Sequence, residues 1–262
     1  MKALILAAGF GTRLKESYIT YSGPHRSQLQ QWVEGKPKGL VIIQGKPVVQ
    51  YQLEQLLHAG LTPQDIFVHT NALYYSQYHA WAVSAGIPAA HVFRNEVMDN
   101  EHRLGAVADI QYALQLLTDD NRRDDFIVMA SDTLLFSDLG IFDLRPIIEQ
   151  YKTDRISRIM VYEGEPHKLS RHGIVQVDGQ GAVIGFEEKP AVPKSNLVNA
   201  SVQLYTSAMI ETIRQRVFEP RAESGMLIAY LYPSFPIKIE RAHSRLDIGT
   251  VEDVLNANVR GE

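Results

Sequence analysis

Lys2 to Ala8 is an almost unbroken apolar run, the pattern of a strand covered on both faces inside a parallel sheet. It runs straight into a glycine turn, Gly9-Phe10-Gly11-Thr12-Arg13-Leu14. Residues 15–36 are polar and aromatic with a Gly23-Pro24 turn signal, which predicts a long loop. Loops of that length in compact domains are usually functional or mobile. A short apolar segment, Leu40 to Ile43, ends at Gln44-Gly45. The stretch Val48 to Ala59 then sets Val49, Leu53, Leu56 and Leu57 on one helical face, with Gly60 as the stop.

Alternation continues from there. Ile66 to Thr70, His91 to Phe93 and Phe126 to Ala130 read as strands, while Tyr74 to Ser84 and Leu104 to Leu117 read as helices. Strand and helix patterns taking turns imply βαβ units, hence an α/β fold around a parallel sheet. After about residue 155 the pattern turns strand-rich. Arg158 to Tyr162, Gly173 to Val177, Ala182 to Glu187 and Val202 to Tyr205 are candidate strands, with a hairpin turn at Asp178-Gly179. Helices are predicted over Ala208–Val217 and Val251–Asn258. No stretch rich in Pro, Gly or Ser divides the chain, so 1–262 reads as one unit.

Composition narrows the function classes. The 262 residues lie near the upper limit of one hydrophobic core, at 45% hydrophobic and 21% charged. Twenty-six basic against 30 acidic side chains give a net charge of −4, which argues against non-specific nucleic-acid binding. A small phosphorylated ligand held by a few local cations is compatible with it. With no cysteine at all, thiolate nucleophiles, disulfides and Cys-ligated metals are excluded. Neither a membrane span nor a secretory leader is visible, so the expectation is a cytoplasmic protein that engages no membrane.

The strand–glycine junction is the first candidate site, because glycines let backbone N–H groups approach a phosphate closely. A dinucleotide fingerprint needs a third glycine where Leu14 stands, and a P-loop needs Gly-Lys-Ser/Thr, so neither is present. A plain strand-to-helix turn is the alternative; Arg13 favours phosphate, since a guanidinium binds it bidentately. Further along, Asp132 suits either a metal or the cap of the next turn. Glu188-Lys189-Pro190 is a site segment or an exposed turn, Asn199 a ligand contact or a turn residue, and Asp247 a site carboxylate or the cap of a helix near Thr250. The nine histidines show no metal-ligand spacing, and Tyr74, Tyr75 and Trp81 read as helix packing.

Taken together, Leu6-Ala7-Ala8-Gly9-Phe10-Gly11-Thr12-Arg13-Leu14 and Lys36-Pro37-Lys38 resemble the signature of sugar-phosphate nucleotidylyltransferases. The resemblance runs through nearly the whole chain in the family's order. It includes Gly45-Lys46-Pro47-Val48-Val49, Leu104-Gly105-Ala106, Ala130-Ser131-Asp132, Gly173-Ile174-Val175, Glu188-Lys189-Pro190, Val198-Asn199-Ala200 and Leu246-Asp247-Ile248-Gly249-Thr250. What it implies is a Rossmann-like mixed, mostly parallel sheet flanked by helices, with a smaller β-rich sugar-binding lobe. Nucleotide binding would then occupy about 1–135 and the sugar phosphate about 136–262.

The reaction implied joins a nucleoside triphosphate and a sugar 1-phosphate into an NDP-sugar and pyrophosphate. By the same resemblance Arg13 and Lys38 are the catalytic cations, and Ala8, Gly9, Gly11, Thr12, Leu104 and Gly105 join them around the nucleotide. Gly173, Glu188, Lys189 and Asn199 would hold the sugar phosphate, and Asp132 and Asp247 would hold Mg²⁺. A nucleotide-sugar-dependent glycosyltransferase and a non-catalytic nucleotide-sugar-binding module are the alternatives. The first usually shows Asp-x-Asp, which Ser131-Asp132-Thr133 does not supply. Residues 15–36 are longer than the family's usual connection, and Asn95 to Arg103 replaces its glutamine- and proline-containing stretch. The nucleobase, the sugar and association into a homo-oligomer are therefore left open.

Overall fold

The computed structural model describes residues 1–118, 121 and 123–259. In chain order the first half runs β1 (Lys2–Ala7), α1 (Thr12–Thr20), α2 (Arg26–Val33), β2 (Ile42–Ile43), β3 (Lys46–Pro47), α3 (Val48–His58), β4 (Ile66–Thr70), α4 (Tyr75–Ser84), β5 (Val92–Arg94), α5 (Ala106–Leu116) and β6 (Phe126–Ala130). It continues through β7 (Thr133–Ser137), β8 (Gly140–Ile141), α6 (Arg145–Asp154), β9 (Ser157–Glu163), β10 (Gly173–Val177), β11 (Val183–Glu188) and β12 (Leu197–Tyr205). The last elements are α7 (Ser207–Gln215), α8 (Met226–Leu231), β13 (Ile237–Arg241), β14 (Ser244–Asp247) and α9 (Val251–Val259).

The expected α/β class holds. A nine-stranded sheet has the order β11-β10-β12-β6-β1-β4-β5, with β9 pairing β12 and β13. Its centre β6-β1-β4-β5 is entirely parallel, as the apolar run at the N-terminus requires. Both faces of β1 are covered. Ala3 and Ile5 pack into one core with α3 and α4, and Leu4 into another with α5 and α7. β12 joins β6 antiparallel, so the strand-rich second half extends the same sheet. A three-stranded sheet, β14-β7-β8, stands apart from it.

Residues 15–36 do not form the expected loop. Thr12–Thr20 and Arg26–Val33 are helices whose sparse apolar residues Leu14, Leu29 and Val33 are buried against Ile248, Val251 and Val254. Only three buried positions in a polar stretch carry that packing, too few to show as a helical period. Leu57 was expected on the buried face of its helix but is 37% exposed. Gln52 and Gln55 are buried there instead. The patterning also gave no expectation for β7, α6, α8, β13 or β14. The hairpin turn after Asp178 is longer than two residues. The Asp178 carboxylate accepts from the N–H groups of Gln180 and Ala182.

The largest fully buried side chain is Arg158 in β9. Its Nη1 and Nη2 donate to both carboxylate oxygens of Asp154 at the end of α6, at 3.0 and 2.6 Å, and Nε donates to Glu240 in β13 at 3.0 Å. One guanidinium thus ties three elements together. The Arg158 hydrogen bonds hold the Asp154 carboxyl down to about 2, against the opposing effect of burial. Replacing Arg158 by Met removes these donors and should cost about 3 kcal/mol at pH 7, a fall in Tm of roughly 6–12 °C. Because Asp154 binds its proton more weakly folded than unfolded, that stabilisation is complete above the ordinary carboxylate range and is lost as pH falls towards 2. Thermal unfolding of Arg158→Met and the parent chain should therefore converge between pH 4 and pH 2; a gap that stays constant with pH would contradict the assignment.

Candidate active site

Three backbone features at the carboxyl ends of β1 and β6 shape the site. Gly11 takes a left-handed conformation (φ 63°) that starts α1 at Thr12, so the chain turns sharply after β1. Gly105 (φ 96°) precedes α5, and a Cβ there would lie 2.4 Å from the Arg221 Cα. The close approach of residues 221–222 to the start of α5 therefore requires glycine. Third, β12 carries a bulge: Asn199 pairs with Val161 and Gln203 with Ile159, leaving Ala200 and Ser201 as extra residues. Ser201 sits at φ 57°, a conformation costly for a non-glycine residue. Before the bulge β12 pairs with β10 and after it with β6, so the two partners diverge there and a cleft opens.

Two adjoining cavities fill that cleft. One, of about 290 Å³, is lined by Ala8, Gly9, Lys38, Gly105 and Asp132. The other, of about 460 Å³, is lined by Arg13, Gly173, Glu188, Lys189, Asn199 and Asp247. Ser201, Glu223 and Ser224 line both and mark where they meet. Eleven residues singled out in the sequence thus converge on one cleft. Gly11 lies in a neighbouring recess that also includes Lys38, whereas Thr12 and Leu104 line neither cavity. The Leu104 carbonyl accepts from Arg221 N–H at 3.1 Å, a role in the backbone.

Charge is concentrated where the cavities join. Lys38 Nζ lies 2.9 Å from Asp132 Oδ2 and 3.9 Å from Asp247 Oδ1. Burial alone would lower the Lys38 pKa, yet Asp132 and Asp247 together hold it above its ordinary value. Asp247 is also gripped by Arg245 at 2.6 Å. Burial pushes the Asp247 carboxyl up; Arg245, Lys38 and Arg13 outweigh it and keep the group ionised. The pairing of β14 with β7 sets Asp247 opposite Thr133, next to Asp132. Asp247 does not cap the last helix. That is the work of Asp253, whose carboxylate accepts from the N–H groups of Gly249 and Thr250.

The turn bearing Asp132 is clamped from below. Buried Gln52 donates to the carbonyls of Ala130 and Thr133 at 2.5 and 2.6 Å, gripping both sides of it. Tyr78, fully buried, accepts from the Gly39 N–H at 3.2 Å and lies 3.3 Å from the Ser131 hydroxyl. It ties the Lys38 segment to the Asp132 turn. Sequence reasoning missed Gln52, Tyr78, Arg245 and Ser201. A polar residue on the apolar face of α3 was the one available signal for Gln52, and the rest depend on tertiary contacts.

In the second cavity Glu188 is the last residue of β11 and Lys189 follows it. Lys189 Nζ is 3.1 Å from Glu223 and 3.6 Å from Glu188. Burial lowers the Lys189 pKa, but Glu223 and Glu188 raise it further. Arg13 has no carboxylate within ion-pair distance among the described residues, so its charge is available to a ligand. As for metals, Asp132 and Asp247 form an all-oxygen pair of carboxylates converging on one point, the donor set a hard cation prefers. Among the described residues no group of three or more His, Cys, Asp or Glu converges, and no helix is long and apolar enough to cross a membrane.

The family model described as nucleotidyl transferase matches residues 2–261. The mannose-1-phosphate guanylyltransferase catalytic subunit beta of Danio rerio is 29% identical over 264 residues, covering 97% of this chain and 63% of that protein. The UTP--glucose-1-phosphate uridylyltransferase AglF of Haloferax volcanii is 26% identical over 260 residues, covering 97% of this chain and 93% of that one. This chain therefore spans less than two thirds of the first relative and nearly all of the second. In fold it resembles a UDP-glucose pyrophosphorylase from Acinetobacter baumanii, with a TM-score of 0.67, 21% identity, and coverage of 98% and 91%.

The two glycines of the Lys38 cavity separate fold from site. At Gly9 an added Cβ meets nothing within 4 Å, whereas at Gly105 it meets backbone. Gly9→Ala should leave thermal stability within about 0.5 kcal/mol, while Gly105→Ala should lose roughly 2 kcal/mol through strain and displacement of residues 221–222. Equal melting of the two variants in calorimetry would refute this account of the backbone.

Proposed function

The chain belongs to the nucleotidyl transferase family, and from that premise we propose that it transfers a nucleotidyl group from a nucleoside triphosphate to a sugar 1-phosphate, releasing pyrophosphate. The observation that carries the proposal is the meeting of two differently furnished cavities at Ser201. A glycine-lined cavity with Lys38 adjoins one whose walls carry Arg13, Lys189, Glu188 and Asn199. The relatives named above support it, since one is named for a guanylyl transfer and the other for a uridylyl transfer to a sugar 1-phosphate. We assign the nucleotide to the part at about 1–135 and the sugar phosphate to the part at about 136–262, within one domain.

In the proposed reaction a phosphate oxygen of the sugar 1-phosphate attacks the α-phosphorus in line. The new O–Pα bond forms as the bond from Pα to the β-phosphate oxygen breaks, and that electron pair leaves with pyrophosphate. No covalent enzyme intermediate is needed, so positioning and charge stabilisation supply the rate. Ala8, Gly9 and Gly105 leave room for the nucleotide, with Gly11, Thr12 and Leu104 shaping the backbone around it. Lys38 meets the α-phosphate, and Arg13 stabilises charge developing on the departing pyrophosphate. Lys189 meets the sugar phosphate, while Gly173, Glu188 and Asn199 orient the sugar ring. Glu223 and Glu188 pair with Lys189 in the empty site, and the phosphate takes their place at the lysine on binding.

Asp132 and Asp247 would hold Mg²⁺, which needs only one or two protein carboxylates beside water and phosphate oxygens. When bound, the ion neutralises phosphate charge and makes the α-phosphorus more electrophilic. Lys38 balances the same two carboxylates when the cleft is empty, so these groups are prevented from repelling one another. As a cytoplasmic enzyme of nucleotide-sugar biosynthesis it would act on small molecules, with no nucleic acid or membrane as partner.

Pyrophosphate release, measured over a panel of nucleoside triphosphates against a panel of sugar 1-phosphates, tests the reaction directly. Dependence on both substrates is expected, and Arg13→Ala and Lys38→Ala should each lower kcat on the order of a hundredfold. A glycosyltransferase or a binding module would release none. The metal assignment has a separate check. Asp132→Asn and Asp247→Asn should lose activity to a similar degree, and the double variant little more, because the two act as a unit. Full activity in excess EDTA would refute it.

A further inference from the structure

Asp109 lines the nucleotide-side cavity from the first turn of α5, yet the reaction proposed above gives it no task. Its two oxygens are treated very differently by the protein. Oδ1 accepts from His69 Nε2 at 3.0 Å and from Asn95 Nδ2 at 2.7 Å. Oδ2 accepts no hydrogen bond among the described residues, and it is not among the buried side-chain atoms left without a partner. This second oxygen is therefore open to the cavity while the rest of the carboxylate is enclosed.

The orientation is fixed on both sides. Asn95 Oδ1 accepts from the Val97 N–H at 3.0 Å, so its Nδ2 must be the group that faces Asp109. His69 is completely buried. A carboxylate needed only to satisfy His69 and Asn95 would not have to present its other oxygen to a ligand cavity. Arg103 lines the same cavity, with Nη1 donating to the Asn100 carbonyl at 3.2 Å and, among the described residues, no acceptor for its other guanidinium N–H groups. The cavity therefore offers a fixed acceptor from Asp109 and donors from Arg103.

We propose that Asp109 is a specificity-determining residue that selects a nucleobase carrying an exocyclic amino group at one end of its pairing edge and a carbonyl at the other, namely guanine or cytosine. The inference rests on the nucleotidyl-transfer reading and deepens it. The amino group donates to Asp109 Oδ2, and the carbonyl accepts from Arg103. Uracil and thymine present carbonyls at both ends, which would set an oxygen against the carboxylate. Adenine has the amino group but no carbonyl for Arg103.

The same geometry dictates what Asp109→Asn does. The position now held by Oδ1 faces two donors and must stay an acceptor, so the amide NH₂ must take the place of Oδ2 and point into the cavity. The cavity then offers a donor where it offered an acceptor, which suits the uracil carbonyl.

Equilibrium titration of the full chain with GTP, CTP, UTP, dTTP and ATP, each with Mg²⁺, is the test. GTP or CTP should bind about tenfold or more tightly than UTP and dTTP, and the GTP and CTP arms identify which base is taken. In Asp109→Asn, shown to be folded by circular dichroism, the preference should shift towards UTP, an outcome a purely structural role would not produce. Should the variant not fold, nucleotides that lack the amino group ask the same question of the parent chain. ITP should bind about tenfold more weakly than GTP, or UTP than CTP. UTP or dTTP binding as tightly as both amino-bearing nucleotides, or an unchanged preference in folded Asp109→Asn, overturns the inference. Pyrophosphate release measured in parallel keeps the two readings apart. Preferred turnover of UTP or dTTP would overturn the base assignment alone, whereas guanine or cytosine selectivity without any release would overturn the activity and uphold the base assignment.

Discussion

Two aspartates distant in the chain share one lysine, and the geometry of the cleft follows from that arrangement. Asp132 and Asp247 would repel each other across a partly buried gap if nothing lay between them. Lys38 sits there, at 2.9 and 3.9 Å, and its raised pKa means that the attraction outweighs the cost of burying its charge. For this to work, three separate segments must arrive together. The Gln52 clamp fixes the turn of Asp132, the β14–β7 pairing delivers Asp247, and Tyr78 holds the backbone beside Lys38. Fixed in this way, the cluster is a preorganised set of charges, the form in which electrostatics contributes most to catalysis.

The bulge in β12 plays a complementary part. A strand paired evenly with β6 along its length would close the space over the carboxyl ends of β1 and β6. By inserting Ala200 and Ser201, the chain lets β12 leave β10 and join β6. The cavity over the parallel strands and the cavity over the antiparallel ones then meet at Ser201. Backbone strain at that residue is sustained by the strand pairing on both sides of it. A ligand crevice at the carboxyl ends of parallel strands is where open α/β sheets generally bind.

Much of the architecture was legible in the residues. The continuous apolar run at β1 specified a central parallel strand, because only burial on both faces tolerates it. The alternation of strand and helix patterns around β4 and β6 implied its parallel neighbours. The motif residues of the resemblance were equally legible: most lie in the two cavities of the cleft. The helices in 15–36 were not, since their burial depends on Val251 and Val254 near the other end of the chain. Strands β13 and β14 escaped for a related reason. They gain their partners from β9 and β7, and short segments such as Ile237–Arg241 carry too few apolar positions to mark a period.

The sequence by itself determined the class of fold, the exclusion of thiol chemistry and the identity of the charged groups available for phosphate. Those properties depend on local pattern and on residue type, which the chain carries without reference to its folding. Tertiary structure decided which of those groups meet. It put Lys38 between two carboxylates, assigned the capping of α9 to Asp253 so that Asp247 faces the cleft, and left Asp109 with one oxygen enclosed and the other open. Charge pairing and hydrogen bonding act over a few ångströms, and only the folded chain brings residues so far apart in sequence within that range.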